Sequence, residues 1–89
     1  MEKNKRKKLY ETALSKWGRK AQEMMLFEEV GELLNSLGKY RRDRCDKSDV
    51  ITELADVSIM VEQMAVLYGF DEYEKEKENK LSRLKDRLR

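Results

Sequence analysis

Apolar residues recur along this chain at intervals of three and four, the period of an α-helix. Within 4–17, Leu9, Ala13, Leu14 and Trp17 keep that spacing, and Gly18 follows as a residue that tolerates the left-handed conformation ending many helices. Within 20–40, Leu26, Val30, Leu33, Leu37 and Tyr40 fall at steps of 4, 3, 4 and 3, an apolar stripe along one face of a long helix. Met24, Met25, Phe27 and Leu34 widen that stripe, so this helix is expected to be contacted from more than one side. The stretch 41–48 has no periodic apolar residue and reads as a connection. Within 49–68, Ile51, Leu54, Ser58, Val61, Ala65 and Tyr68 form one stripe, and Val50, Val57, Met60, Met64 and Leu67 lie beside it. This is the most apolar segment and the expected central helix, with Gly69 at its end. A fourth helix is expected from 71, where Asp71 and Glu74 fit a capping box. Its apolar residues, Leu81, Leu84 and Leu88, come late, and its first half is charged, with pairs such as Glu76 and Lys80 at i,i+4. Four amphipathic segments with short connections predict an all-α, antiparallel four-helix bundle, one domain over 1–89.

Composition supports long helices and a thin core. The chain has 89 residues, no proline and four glycines. A chain this short buries only ~60–65% of the surface it exposes when unfolded, which makes association with further copies a natural way to bury more. Charged residues make up 43% of the chain, yet the net charge is +2, a balance that suggests solvated helix faces rather than a polyanion-binding surface. Lys3, Lys5, Arg6, Lys7 and Lys8 crowd the N-terminus, and Arg41, Arg42 and Arg44 form a second group. Such clusters can hold nucleic-acid phosphates; a solvated helix start and a polar loop is the plainer reading.

Cys45 is the single cysteine, set among Arg44, Asp46 and Lys47, and reads as a loop residue without a chemical role. No secretory signal follows the N-terminal lysines, and no stretch approaches the ~18 apolar residues that span a bilayer, so a cytoplasmic protein without a membrane partner is expected. Histidine is absent. Without it no Ser–His or Cys–His nucleophilic pair and no zinc site of the usual His/Cys type can form. Any chemistry falls to carboxylates, lysines, hydroxyls or a hard metal.

Carboxylates interrupt the apolar stripes. Glu28, Glu29 and Glu32 sit among Leu26, Phe27, Val30 and Leu33; Glu53 and Asp56 sit among Val50, Leu54, Ala55 and Val57. Residues three apart share a side of a helix, so Glu29 pairs with Glu32 and Glu53 with Asp56. The 20 residues between Glu32 and Glu53 carry the chain to the end of one helix and back along the next, which sets the two pairs at similar height. Four facing carboxylates near a core repel and require a cation or raised pKa values. Oxygen ligands suit Mg²⁺, with Mn²⁺ as a substitute. The alternative is that each carboxylate lies at the edge of its stripe, paired with a lysine.

The stretch Glu28-Glu29-Val30-Gly31-Glu32-Leu33-Leu34, followed by Glu53-Leu54-Ala55-Asp56-Val57, resembles the MazG-like all-α nucleoside triphosphate pyrophosphohydrolases, whose signature is ExxE, a spacer and ExxD. Trp17-Gly18, Gln22, Lys39-Tyr40 and Ile59-Met60-Val61-Glu62-Gln63 are also similar to the short single-domain members, including those carried by phages. The resemblance implies Mg²⁺-dependent cleavage of a nucleoside triphosphate between its α and β phosphates, giving the monophosphate and pyrophosphate. It implies that Glu29, Glu32, Glu53 and Asp56 are the metal-binding and catalytic residues, with Glu28 at most a supporting neighbour. It also implies a homodimer or homotetramer.

Substrate contacts are open to two readings each. Lys77, Lys80 and Arg83 either face phosphates or are solvated charges. Trp17 either stacks on a base or packs in the core. Gln22 either hydrogen-bonds a base edge or is an ordinary surface glutamine, and Met60 and Met64 read as core. Two other classes compete with the enzyme: a non-catalytic helical interaction module, which leaves the inward carboxylates unexplained, and a nucleic-acid-binding protein, against which the balanced charge argues.

Overall fold

The computed structural model describes residues 1–89 as four α-helices: α1 Lys3–Trp17, α2 Arg19–Arg41, α3 Lys47–Tyr68 and α4 Phe70–Arg87. The chain is all-α, as the periodicity predicts. Two of its turns depend on glycine. Gly18 (φ 89°) and Gly69 (φ 139°) take positive φ between consecutive helices, and their N–H groups donate to Leu14 O and Ala65 O. Lacking a Cβ, glycine enters this region at no steric penalty.

The connection after α2 is shorter than the sequence suggests. α2 runs on through Arg41 and α3 begins at Lys47. Asp43 turns the chain with φ 56°, and Asp46 N–H donates to Asp49 Oδ2 at 2.9 Å, the back-reaching arm of a capping box. The capping box expected at the start of α4 does not form. α4 begins one residue earlier, at Phe70, with no side-chain cap, and Glu74 pairs with Lys3 at 3.2 Å. Asp71 and Glu72 still lie in the first turn, where the helix dipole favours negative charge.

α3 is central, as expected: every other helix packs on it. Its inward face is the second of the two stripes. Met60 and Met64 are buried and Val50, Val57 and Leu67 half-buried, whereas Ile51, Leu54, Val61 and Tyr68 of the first stripe are exposed. Ala65 alone from that stripe is buried. On α1 the buried residue is Tyr10, while Leu9 and Trp17 are exposed. Tyr10 Oη donates to Glu62 Oε1 at 2.5 Å, and Arg6 stands 3.8 Å from the same oxygen. That cluster clamps α1 to α3.

The fourth helix does not close the bundle. It meets only α3 among the helices at backbone level. Lys3 and Lys7 over the Phe70 ring, at 5.3 and 5.6 Å, join its first turn to α1, and every residue from 75 to 89 is exposed. The radius of gyration is 15.4 Å, against about 12 Å for a compact domain of this length. The accessible surface is 7213 Å², against about 5,500 Å² for a folded monomer of this mass. Much of the excess is apolar: Met24, Phe27 and Leu34 on α2, Leu81 and Leu84 on α4 and Leu88 just after it face solvent. The second helix meets α3 and, more slightly, α1, while the side carrying Met24, Phe27 and Leu34 is uncovered within this chain. No helix is long and apolar enough to cross a membrane.

Candidate functional site

The α2–α3 hairpin brings the interrupting carboxylates together. Glu29 from α2 and Glu53 and Asp56 from α3 each offer an oxygen, and the three oxygens lie within 4.8 Å of one another. All three side chains are half-buried. Glu32, on the turn after Glu29, is exposed, and its charge acts on both Glu29 and Glu53. Glu28 faces solvent. The inward face of α3 explains the placement: Glu53, Asp56, Val57, Met60 and Met64 follow one another at helical spacing, so the face that buries the two methionines also carries the two acids toward α2.

The electrostatics of this cluster are unrelieved. Burial, then the charges of Glu32, Asp56, Glu53 and Glu28, push the Glu29 carboxyl above its ordinary value. Burial, then Glu32 and Asp56, do the same to Glu53. Glu29 Oε2 and Glu53 Oε2 are out of solvent contact and have no hydrogen-bond partner. The chain's ion pairs all lie elsewhere: Lys3–Glu74, Arg6–Glu62, Arg19–Glu23, Lys80–Glu76 and Arg83–Glu76. The lysine-paired alternative for these carboxylates is therefore not what the chain adopts. Buried polar atoms are partnered in the large majority of cases; here two carboxylate oxygens facing a third acid have no partner.

The other candidate residues are dispersed. Trp17 is 57% exposed and lines a groove between α1 and α3. Gln22 is buried at 7% exposure, not on the surface. Lys77, Lys80 and Arg83 lie on the exposed run of α4. Lys77 sits over the Tyr73 ring at 5.6 Å, and Lys80 and Arg83 approach Glu76 at 3.9 and 3.7 Å. Asp56 and Gly69 are thirteen residues apart on the chain, about 20 Å of helix, and α4 makes no backbone approach to α2. Within one chain these cations do not join the carboxylates. Of the N-terminal basic residues, Lys3, Arg6 and Lys7 are engaged with Glu74, Glu62 and Phe70. Cys45 lies in the α2–α3 connection, its Sγ 3.5 Å from Ser36 O.

Two residues outside the predicted set stand out. Tyr10 is buried, and its hydroxyl is pushed up to about 12 by burial and by its bond to Glu62. Gln63 is 5% exposed with an unpartnered Oε1. Its signal in the sequence was an amide set between Met60 and Met64, seven residues beyond Asp56. No family model, no curated protein and no solved structure matches this chain.

Proposed function

We propose that this protein is a Mg²⁺-dependent nucleoside triphosphate pyrophosphohydrolase of the MazG-like kind, which cleaves a nucleoside triphosphate to the monophosphate and pyrophosphate. The observation that carries the reading is the convergence of Glu29, Glu53 and Asp56 within 4.8 Å, with Glu32 alongside and no basic residue paired to any of them. The ExxE and ExxD resemblance supplies the reaction class.

The donor set fits a hard divalent ion. It consists only of carboxylate oxygens, and the two orphaned atoms, Glu29 Oε2 and Glu53 Oε2, need positive charge. Glu29, Glu53 and Asp56 would hold the ion, with Glu32 at the exposed rim. When bound, Mg²⁺ supplies charge neutralisation of the triphosphate and polarisation of the phosphorus under attack. The chain's own contribution is position. Two helices, rather than loops, carry the acids, and on α3 they share a face with half-buried Val57 and buried Met60 and Met64. A carboxylate oxygen not engaged by the ion would accept the proton of the attacking water, whose oxygen would displace pyrophosphate from the α-phosphorus.

The reading extends to a homodimer or homotetramer. The 7213 Å² of exposed surface and the outward Phe27, Leu34, Ile51 and Leu54 support it. Lys77, Lys80 and Arg83 would reach a bound triphosphate only where a second copy delivers α4 to the hairpin. The test is an assay of released products: pyrophosphate in the presence of Mg²⁺ and none in chelator is expected. Orthophosphate as the direct product sinks the reaction class.

A further inference from the structure

Between α1 and α3 runs a groove of about 410 Å³, lined by Leu9, Tyr10, Ala13 and Trp17 on one side and Ile59 and Gln63 on the other. Met1 and Arg6, the latter paired with Glu62, complete the lining, which is apolar and aromatic except at Arg6 and Gln63. That side chain is 5% exposed, and its Oε1 neither meets solvent nor accepts a hydrogen bond. A buried amide oxygen without a donor is uncommon and points to a missing partner.

The groove and the carboxylate cluster meet on α3. Asp56, Ile59 and Gln63 lie at i, i+3 and i+7 along α3 and so share one side of it. The rise from Asp56 to Gln63 is about 10 Å, a separation on the scale of one nucleoside. At the far side of the groove Trp17 leaves 57% of its surface free. An aromatic ring stacks on any base, because every base has a π-face; an amide reads the edge. Rotation about the last torsion of a glutamine is soft and turns the Gln63 amide toward the groove.

We propose that this groove receives the nucleobase, with Trp17 stacked on its face and Gln63 pairing with its polar edge, so that Gln63 sets base preference. The proposal rests on the hydrolase reading of the carboxylates. The unpartnered atom is an acceptor, so it favours a base presenting an amino group, cytosine or adenine, over one presenting a carbonyl oxygen at the same place. A site that hydrogen-bonds its ligand rejects the mismatched analogue because its own polar group is left unpaired.

Trp17 is the only tryptophan, so its fluorescence reports occupancy without turnover. The full chain with Mg²⁺ is titrated with dCMP, dAMP, dGMP and dTMP, and separately with pyrophosphate by calorimetry. Quenching by dCMP or dAMP at roughly tenfold higher affinity than by dGMP or dTMP is expected. Gln63→Leu should bring all four to within about threefold, since stacking alone is sequence-tolerant, and leave pyrophosphate binding unchanged. If the leucine variant does not fold, Gln63→Met, unbranched and of similar length, carries the same expectation. Pyrophosphate binding with no nucleotide response at Trp17, or discrimination surviving in the Gln63 variant, overturns the proposal and leaves the hydrolase reading standing. Trp17 emission that changes on protein dilution but not with nucleotide assigns the groove to a second copy and also overturns it. Failure of both pyrophosphate and nucleotides to bind removes the hydrolase reading itself, and the proposal with it.

Discussion

Glu53→Gln keeps the shape of a side chain at the centre of the cluster and removes its charge. In the metal-free chain, burial and the charges of Glu32 and Asp56 raise the Glu53 carboxyl above its ordinary 4.5. A carboxyl raised on folding holds its proton more tightly in the folded chain than in the unfolded one. Its ionisation therefore weakens folding, and stability present below the ordinary value is lost as pH rises through the raised one. At pH 7 in chelator the glutamine variant escapes that loss and should melt above the wild type. Near pH ~4, below the raised value of Glu53, that carboxyl is largely protonated and the two should converge. Magnesium reverses the order. An ion bound only by the folded state, at 100 times its Kd, adds about 2.7 kcal/mol to the wild type, which raises Tm by about 10–20 °C in a domain of this length. With one of three converging carboxylates gone and affinity down tenfold or more, the variant's gain at the same Mg²⁺ concentration should roughly halve. Its turnover should fall at least about 100-fold. Scanning calorimetry in chelator and across a Mg²⁺ series, with pyrophosphate release in parallel, reads all three quantities. A variant that melts below the wild type in chelator, keeps the full Mg²⁺ shift and turns over normally would show Glu53 to be a structural residue and refute the metal centre.

Three further outcomes follow from the same geometry. Tyr10→Phe should lower stability by about 2 kcal/mol, the range for a buried bond to a charged acceptor, and Tm by about 8–16 °C. Because folding raises the Tyr10 hydroxyl from 10.0 to about 12, wild-type stability should be fully present below pH 10 and fall between pH 10 and pH 12; a phenylalanine variant with the same alkaline midpoint refutes the assignment. Gly69→Ala places a Cβ at φ 139°, where it would also meet Glu72 Oε2 at 2.7 Å. The side chain can swing away but the backbone cannot, so a loss of about 1–3 kcal/mol on chemical denaturation is expected. Light scattering at micromolar concentration should report a dimer or tetramer, and Phe27→Glu with Leu34→Glu should shift it toward monomer; a wild-type monomer contradicts the assembly.

Helix existence was legible because period and punctuation agreed: Gly18 and Gly69 stand where the apolar periodicity of one segment stops and the next begins. Which face of α3 turns inward was not legible from hydrophobicity. Two stripes of similar apolar content lie side by side, and the one beginning at Ile51 is the more regular. The face that turns inward carries Met60 and Met64 together with Glu53 and Asp56. An apolarity pattern discounts that face because of its acids, although those acids are what α2 meets. The carboxylate cluster was legible, since ExxE and ExxD on consecutive antiparallel helices have few alternative placements. Tyr10 and Gln63 were not, because a lone tyrosine among lysines and a lone amide among methionines carry no period. The open position of α4 escaped notice for a related reason. Its charged first half fits solvent equally well beside the other helices or projecting from them, and only Phe70 and Glu74 tie it to α1.

The exposed apolar surface and the acidic hairpin are two sides of one arrangement. In a chain of 89 residues, the helix face that would ordinarily hold leucines against the central helix holds Glu29 against Glu53 and Asp56. The apolar residues of the same segments, Phe27, Leu34, Ile51 and Leu54, are left pointing outward. The surface of 7213 Å² exceeds that of a compact monomer by about 1,700 Å². If a pair of chains hid that excess, the interface would total about 3,400 Å², within the 2,000–5,000 Å² of obligate dimers. A second copy would then supply the hydrophobic burial that the acids displace from the interior. The proposed ion would lower the repulsion that remains. Association and metal binding, as proposed, would then both be tied to the stability of the fold. Each would offset a different part of the penalty of turning carboxylates inward, so Mg²⁺ should tighten the assembly and protein concentration should raise the apparent affinity for Mg²⁺, as thermodynamic linkage requires.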